Sequence, residues 1–294
     1  MLVYVFGKKF EAELAPSVQQ FLEKMVRRGI SICVYKNFER FLESHIQIPA
    51  HTIFEEHSEF ENASALFSFG GDGTFLDAAR LVGSKRVPIL GINTGRLGFL
   101  SHVSVSEADE ALEQFVNSEF TIDPRSFIQI KSEQFDFGDF PFALNEITIN
   151  HATRNQMVKI NASVNKAFLS SYWADGLIVA TPTGSTAYSL SCGGPIVTPN
   201  SNNFILTPIS AHNLTARPLV IGDTSTVKLK AECRSGQILI TLDSTQYVID
   251  GGAELSLSRA PFELQMILLD GRNFFRTIRK KMGWGLDIRM DDNN

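Results

Sequence analysis

Ser68-Phe69-Gly70-Gly71-Asp72-Gly73-Thr74 lies between two apolar segments of different period. Ahead of it, Ala65-Leu66-Phe67-Ser68-Phe69 is short and apolar, the pattern of a buried strand in a parallel sheet. Behind it, Phe75, Ala78, Ala79 and Val82 recur at helical spacing until Gly83 ends the run. The stretch therefore reads strand, glycine turn, helix. Glycines in such a turn let main chain approach a ligand, and free N–H groups at a helix start suit phosphate oxygens. Asp72 sits inside that turn. A carboxylate repels phosphate, so this one points to a metal ion or an incoming hydroxyl, and the combination to phosphoryl transfer. Gly-Gly-Asp-Gly is also good tight-turn chemistry with no ligand at all. It is neither a Walker A loop, which ends in Gly-Lys-Ser/Thr, nor the Gly-x-Gly-x-x-Gly fingerprint of dinucleotide folds.

Working outward, residues 1–122 alternate strand-like and helix-like segments, the pattern of an open, mostly parallel α/β sheet. Leu2–Phe6 reads as a strand. Val18, Phe21, Leu22, Met25 and Val26 share a helical face closed by Gly29, and a strand follows at Ile30–Tyr35. Val87–Ile92 is a further strand, leading into Asn93-Thr94-Gly95-Arg96-Leu97-Gly98-Phe99-Leu100. Ser104 with Glu107 makes a capping box for a helix running to about Asn117. Ligands in such sheets collect at the carboxyl ends of the strands, where both glycine turns fall.

Residues 123–270 change texture. Thr121–Lys131, Phe142–Asn150, Met157–Val164, Phe168–Trp173, Gly176–Ala180, Phe204–Pro208, Thr226–Ala231, Gln237–Leu242 and Gln246–Ile249 are short, β-branched or aromatic, and bounded by turn residues. They predict a mostly antiparallel, sandwich-like β domain. Asn145-Glu146 falls inside one of these strands, where alternation can face Glu146 to solvent or burial can demand a partner for it. Asp175-Gly176 begins a strand that ends in Thr181-Pro182-Thr183-Gly184-Ser185-Thr186-Ala187-Tyr188-Ser189-Leu190-Ser191. So many hydroxyls at a helix start exceed what a cap needs and suit phosphate, ribose or base edges. Phe274–Lys281 looks helical again, with Phe275, Ile278 and Met282 on one side, returning to the first domain; Asp291–Asn294 is expected to fray.

The chain's 294 residues suffice for two cores, and its 44% hydrophobic and 20% charged content is that of an ordinary globular protein. A net charge of −5 argues against nucleic acid and anionic membranes as partners. No apolar run approaches the ~20 residues that span a bilayer. Met1–Phe6 reads as a strand rather than a signal peptide, and the scattered Cys33, Cys192 and Cys233 fit a reducing cytoplasm. No Cys or His spacing marks a zinc site.

Taken together these stretches resemble the NAD kinase family, of bacterial type. Gly70–Thr74, Gly91–Leu100, Asn145-Glu146, Asp175-Gly176 and Thr181–Tyr188 match its motifs in order. His212, Arg217-Pro218 and Gly283-Trp284-Gly285 resemble later elements. The Gly-Gly-Asp-Gly-Thr turn is shared with diacylglycerol, sphingosine and phosphofructokinase-like kinases, whereas the Asp175–Tyr188 run is specific.

The resemblance implies ATP-dependent phosphorylation of the adenosine-ribose 2′-hydroxyl of NAD, giving NADP. It makes Asp72 the proton acceptor with Gly73 beside it. It places Asn145, Glu146, Asp175, Thr183, Thr186, Ala187, Tyr188, Ser189, Leu190 and Ser191 in the dinucleotide site, Tyr188 and Phe99 supplying apolar faces, and Ser210 as a further contact. It implies Mg²⁺ carried by ATP rather than a protein cage, and a homodimer or homotetramer. Two departures stand out: Asp243-Ser244-Thr245-Gln246 where relatives often have Asp-Gly-Gln, and Trp173 at an often polar position. A lipid kinase sharing the glycine–aspartate turn and a non-catalytic nucleotide sensor are the competing readings. The first leaves the hydroxyl run unexplained; the second places a repulsive carboxylate in a phosphate turn to no purpose.

Overall fold

A computed structural model describes residues 1–55, 60–153 and 157–285. The chain divides into two units, Met1–Pro124 with Leu264–Asn294, and Arg125–Glu263.

The first unit carries β1 (Leu2–Gly7), α1 (Ala15–Arg27), β2 (Ser31–Tyr35), α2 (Lys36–Glu43), β3 (His51–Phe54), β4 (Ala63–Phe69), α3 (Asp72–Val82), β5 (Ile89–Asn93), β6 (Val103–Ser104) and α4 (Ala108–Val116). Strands β5, β4, β1, β2 and β3 lie side by side in that order, every pair parallel. β1, β4 and β5 are nearly continuous apolar runs because helices cover such a sheet on both faces. Val18, Phe21, Leu22 and Met25 form the buried face of α1, and Gly29 follows at φ +74°. The capping box at Ser104 and Glu107 is formed, opening first a short 3₁₀ turn and then α4. Chain order reverses at β1, which has β2 on one side and β4 on the other. The Gly70–Asp72 turn leaves the carboxyl end of β4, beside that reversal, where open sheets bind ligands.

The second unit carries β7 (Phe120–Lys131), β8 (Phe142–Ala143), β9 (Glu146–His151), β10 (Val158–Val164), β11 (Ala167–Ala174), β12 (Gly176–Ala180), α5 (Tyr188–Ser191), β13 (Asn203–Ile209), β14 (Leu219–Gly222), β15 (Val227–Cys233), β16 (Gln237–Leu242), β17 (Thr245–Asp250) and β18 (Glu254–Leu269); β7 begins and β18 ends in the first unit. One antiparallel layer runs β11-β10-β15-β18, the other β14-β13-β12-β9-β16-β17. Ile160, Leu229 and Leu257 from the first layer and Ile149, Val179, Leu206 and Ile240 from the second share one buried core, so this is a sandwich.

The sequence pattern does not announce α2, β3 or β14, the segment read as one strand over Phe142–Asn150 is divided into β8 and β9, and two further differences bear on the site. β18 is not announced locally, because alternation at Leu255 and Leu257 gives way to Pro261 and then to the continuous run Met266–Leu269. At the other difference, α6 (Phe274–Met282) belongs to the first unit as expected, but its phase is shifted by a residue. Ile278 is buried, whereas Phe275 is 59% and Met282 39% exposed. The row that meets the rest of the unit is Phe274, Ile278 and the exposed Lys281, at i, i+4 and i+7, with Phe274 and Lys281 both against Phe99. Asp291–Asn294 lie outside the described residues.

Candidate active site

In the first unit the site is built by one carboxylate drawing two glycine segments together. Gly70 takes φ +152°, and a β-carbon there would lie 2.2 Å from the Thr74 hydroxyl, so the chain turns this tightly only at glycine. Gly71 then caps α3 and Asp72 is its first residue. The Asp72 carboxylate accepts the N–H of Phe99 on Oδ2 at 2.9 Å, and those of Leu100 and Ser101 on Oδ1 at 2.9 and 3.0 Å. Those donors belong to the second glycine segment, which folds around Asn93. Its amide donates to Arg96 O at 2.6 Å and Ser101 O at 3.3 Å, and its oxygen accepts the Gly95 N–H. A β-carbon at Gly98 would sit 1.9 Å from Asp72 Oδ1, so only glycine lets the segment close on the carboxylate. Lys281 of α6 places Nζ 3.5 Å from Asp72 Oδ2 and 4.6 Å above the Phe99 ring, whose centroid is 6.2 Å from that of Phe274.

In the second unit, regular pairing breaks between β8 and β9, and Asn145-Glu146 stands at the break. Both residues are buried, which decides against a solvent-facing Glu146. Burial, and after it the Asp243 carboxylate, push the Glu146 carboxyl up to about 8, although the Tyr188 N–H favours its ionised form. Thr181, first of the hydroxyl run, donates its O–H to Leu144 O at 2.5 Å and its N–H to Asn145 O at 2.8 Å. Gly184 packs against the same segment, where a β-carbon would lie 2.1 Å from Asn145 O. The hydroxyl run therefore wraps the Asn-Glu pair, and Tyr188 on α5, 43% exposed, closes it.

Residues 1–120 match the family model of the ATP-NAD kinase N-terminal domain, and residues 144–269 that of the C-terminal domain. The chain is 36% identical over 291 residues to the NAD kinase of Cytophaga hutchinsonii, covering 98% of this chain and 100% of that protein. It is 40% identical over 288 residues to the NAD kinase of Bacteroides fragilis, covering 97% and 99%.

The chain belongs to the NAD kinase family.

Its activity class is that of the family, ATP-dependent phosphorylation of NAD. Yeast NADH kinase complexed with NADH shares its fold, with a TM-score of 0.87 at 23% identity, covering 99% of this chain and 89% of that one. An NAD kinase from Archaeoglobus fulgidus in complex with ATP is similar, with a TM-score of 0.73 at 26% identity, covering 96% and 99%.

The site residues expected of a family member fall into two sets. Asp72, the exposed Gly73 and the half-buried Phe99 stand together in the first unit. In the second, Asn145, Glu146 and Tyr188 meet, and Asp175, whose N–H bonds Ile209 O at 3.0 Å, faces Tyr188 electrostatically. Ser210 follows at φ +47°, exposed. Thr186, Ala187, Leu190 and Ser191 keep accessible surface. Thr183 and Ser189 are buried and bonded within the unit, to Arg125 at 3.4 Å and Thr207 at 2.8 Å, so their hydroxyls hold the frame. Sequence reasoning missed Lys281, Thr181 and Asp243 as partners of the named residues. Lys281 was hidden by the phase of α6, and Asp243 stood out only for the departure of Asp243–Gln246 from the Asp-Gly-Gln of relatives.

Proposed function

We propose that the chain transfers the terminal phosphate of ATP to the 2′-hydroxyl of the adenosine ribose of NAD, with Asp72 receiving that hydroxyl. The observation that carries the reading is the disposition of donors on Asp72. An ionised carboxylate offers about four acceptor sites. Main-chain N–H groups occupy two on Oδ1 and one on Oδ2, while Lys281 stands off Oδ2 at 3.5 Å. One acceptor direction on Oδ2 thus remains for an alcohol proton. A ribose hydroxyl is a very weak acid, so its proton leaves late in a loose phosphoryl-transfer transition state, and Asp72 chiefly orients the oxygen in line. The fixed N–H donors hold the carboxylate in place for that task. Asn145, Glu146, Asp175, Tyr188 and Ser210 take the dinucleotide, with the Thr186–Ser191 segment beside it; residues 1–122 serve ATP and residues 123–270 NAD.

Among the described residues no three His, Cys, Asp or Glu side chains converge on a point that could hold a metal ion. Mg²⁺ is assigned to the phosphates of its substrate, Mg·ATP, rather than to a protein cage. Assembly as a homodimer or homotetramer is supported by Phe168 and Trp173, exposed by 69% and 46% on the outer strand β11. A cytoplasmic setting is supported by the three free cysteines, and no described helix is long and apolar enough to cross a membrane.

Incubation with ATP, Mg²⁺ and NAD, read by a dehydrogenase specific for NADP, tests the reading. NADP is expected, with no phosphorylated product from diacylglycerol or sphingoid bases. Phosphorylated lipid and no NADP would replace it by the lipid-kinase reading.

A further inference from the structure

Asp243 closes the hairpin between β16 and β17 at φ +49°, a left-handed conformation that Asp and Asn tolerate better than other side chains. An aspartate in a turn commonly bonds its own main chain two residues on. This one reaches a segment as far as 99 residues away. Its carboxylate accepts the N–H of Leu144 on Oδ2 at 2.8 Å, and those of Asn145 and Glu146 on Oδ1 at 2.9 and 3.1 Å. Its own N–H returns a bond to Glu146 O at 3.1 Å. With Thr181 holding the carbonyls of Leu144 and Asn145, the break between β8 and β9 is pinned from both sides.

Resting on the NAD kinase reading, we propose that Asp243 is a positioning residue for dinucleotide recognition: it fixes the main chain beneath Asn145 and Glu146 and sets its own carboxylate against that of Glu146, so that the Glu146 side chain meets NAD in one held position. The Glu146 carboxyl is buried and its Oε2 has no hydrogen-bond partner among the described residues, which leaves the Tyr188 N–H alone to favour an ionised form against burial. Burial first, and the Asp243 charge second, keep it protonated up to about pH 8. The other titratable groups facing it are Tyr188 and Cys192, both raised above their ordinary values, burial being the largest cause; Asp175 faces Tyr188. The strands flanking β9 bring apolar Ala180 opposite Glu146 and Leu242 opposite Ile147. A neutral carboxyl supplies one O–H donor beside an acceptor oxygen, which fits a ligand group that both accepts and donates, such as a carboxamide.

The test is NAD binding to the full chain by calorimetry over a pH range centred on about 8, with KM and kcat measured alongside. Wild-type affinity for NAD is expected to fall as pH rises through that value. Asp243→Asn keeps an acceptor oxygen and the turn geometry but removes the charge, so the fall moves to lower pH. Asp243→Ala leaves the three N–H groups without their acceptor, and KM for NAD rises roughly tenfold or more while kcat changes less. Below the fall, Asp243→Asn binds NAD more tightly than Asp243→Ala. Glu146→Gln, which cannot ionise, loses the alkaline fall altogether. An Asp243→Asn profile that superposes on wild type, in a protein that does make NADP, overturns this inference alone. Wild-type protein that makes no NADP overturns the kinase reading and this inference with it.

Discussion

In the first unit the Asp72 carboxylate gathers the N–H groups of Phe99, Leu100 and Ser101; in the second, Asp243 gathers those of Leu144, Asn145 and Glu146. Each acid stands at a sharp turn and each holds three successive donors of a distant, irregular segment. The neighbours differ. Asp72 has a cation, Lys281, at 3.5 Å; Asp243 has a second carboxyl, the buried Glu146, whose ionisation burial and then the Asp243 charge oppose. One device therefore serves two purposes. In the proposed reading it presents a fixed carboxylate to an alcohol beside a lysine, and beside a glutamic acid it opposes the neighbour's ionisation.

The largest effect is expected from Asp72→Asn. The amide keeps one acceptor oxygen for the glycine segment but cannot take the hydroxyl proton. Turnover should fall by roughly 10²–10⁴-fold while calorimetry still shows NAD binding. Near-normal turnover would leave Asp72 with only the structural half of the comparison. Next is Gly98→Ala, whose β-carbon would be placed 1.9 Å from Asp72 Oδ1. The clashing atom ends a side chain, so the carboxylate rotates away and the fold survives. Turnover drops by about 10²-fold, as misplaced reacting groups commonly cause, and stability falls by roughly 1–3 kcal/mol in denaturant titration. A variant as active as wild type would show that the carboxylate need not be fixed.

Lys281→Met removes the feature that distinguishes Asp72 from Asp243. Because the pair is partly exposed, it is worth up to about 1 kcal/mol, so kcat should fall by roughly fivefold, with recovery in Lys281→Arg. Equal losses in the Met and Arg variants would assign the contact to packing.

The smallest effect concerns Glu107, whose neighbours are donors and a cation. Burial opposes ionisation there, but the Ser104 N–H and hydroxyl and the Arg272 guanidinium hold its carboxyl below the ordinary 4.5. A lowered native value contributes stability above that ordinary value and loses it as pH falls through the native one. Glu107→Gln should unfold more easily than wild type in urea at neutral pH, and the gap should close on acidification. A gap that widens in acid would reverse the sign.

Sequence patterns showed much of this architecture. Alternation placed most sandwich strands within a residue or two, and the strand–turn–helix reading around Gly70 puts α3 where it is. The glycine and hydroxyl motifs mark, each within its own unit, the turns where Asp72 and Glu146 stand. β18 escaped because a strand that passes from one unit to the other has no single period. Lys281 escaped because Phe275, Ile278 and Met282 fit a helical face as well as Phe274, Ile278 and Lys281 do, and only packing chooses between them.

By itself the sequence determined which residue types stand at each turn and strand end, because glycine freedom, hydroxyl caps and apolar period are local properties of the chain. Tertiary structure alone decided which acid faces a lysine and which faces another acid. Those pairs join residues far apart in the chain, such as Asp72 with Lys281 and Asp243 with Glu146, and Coulomb's law depends on distance in space rather than in sequence.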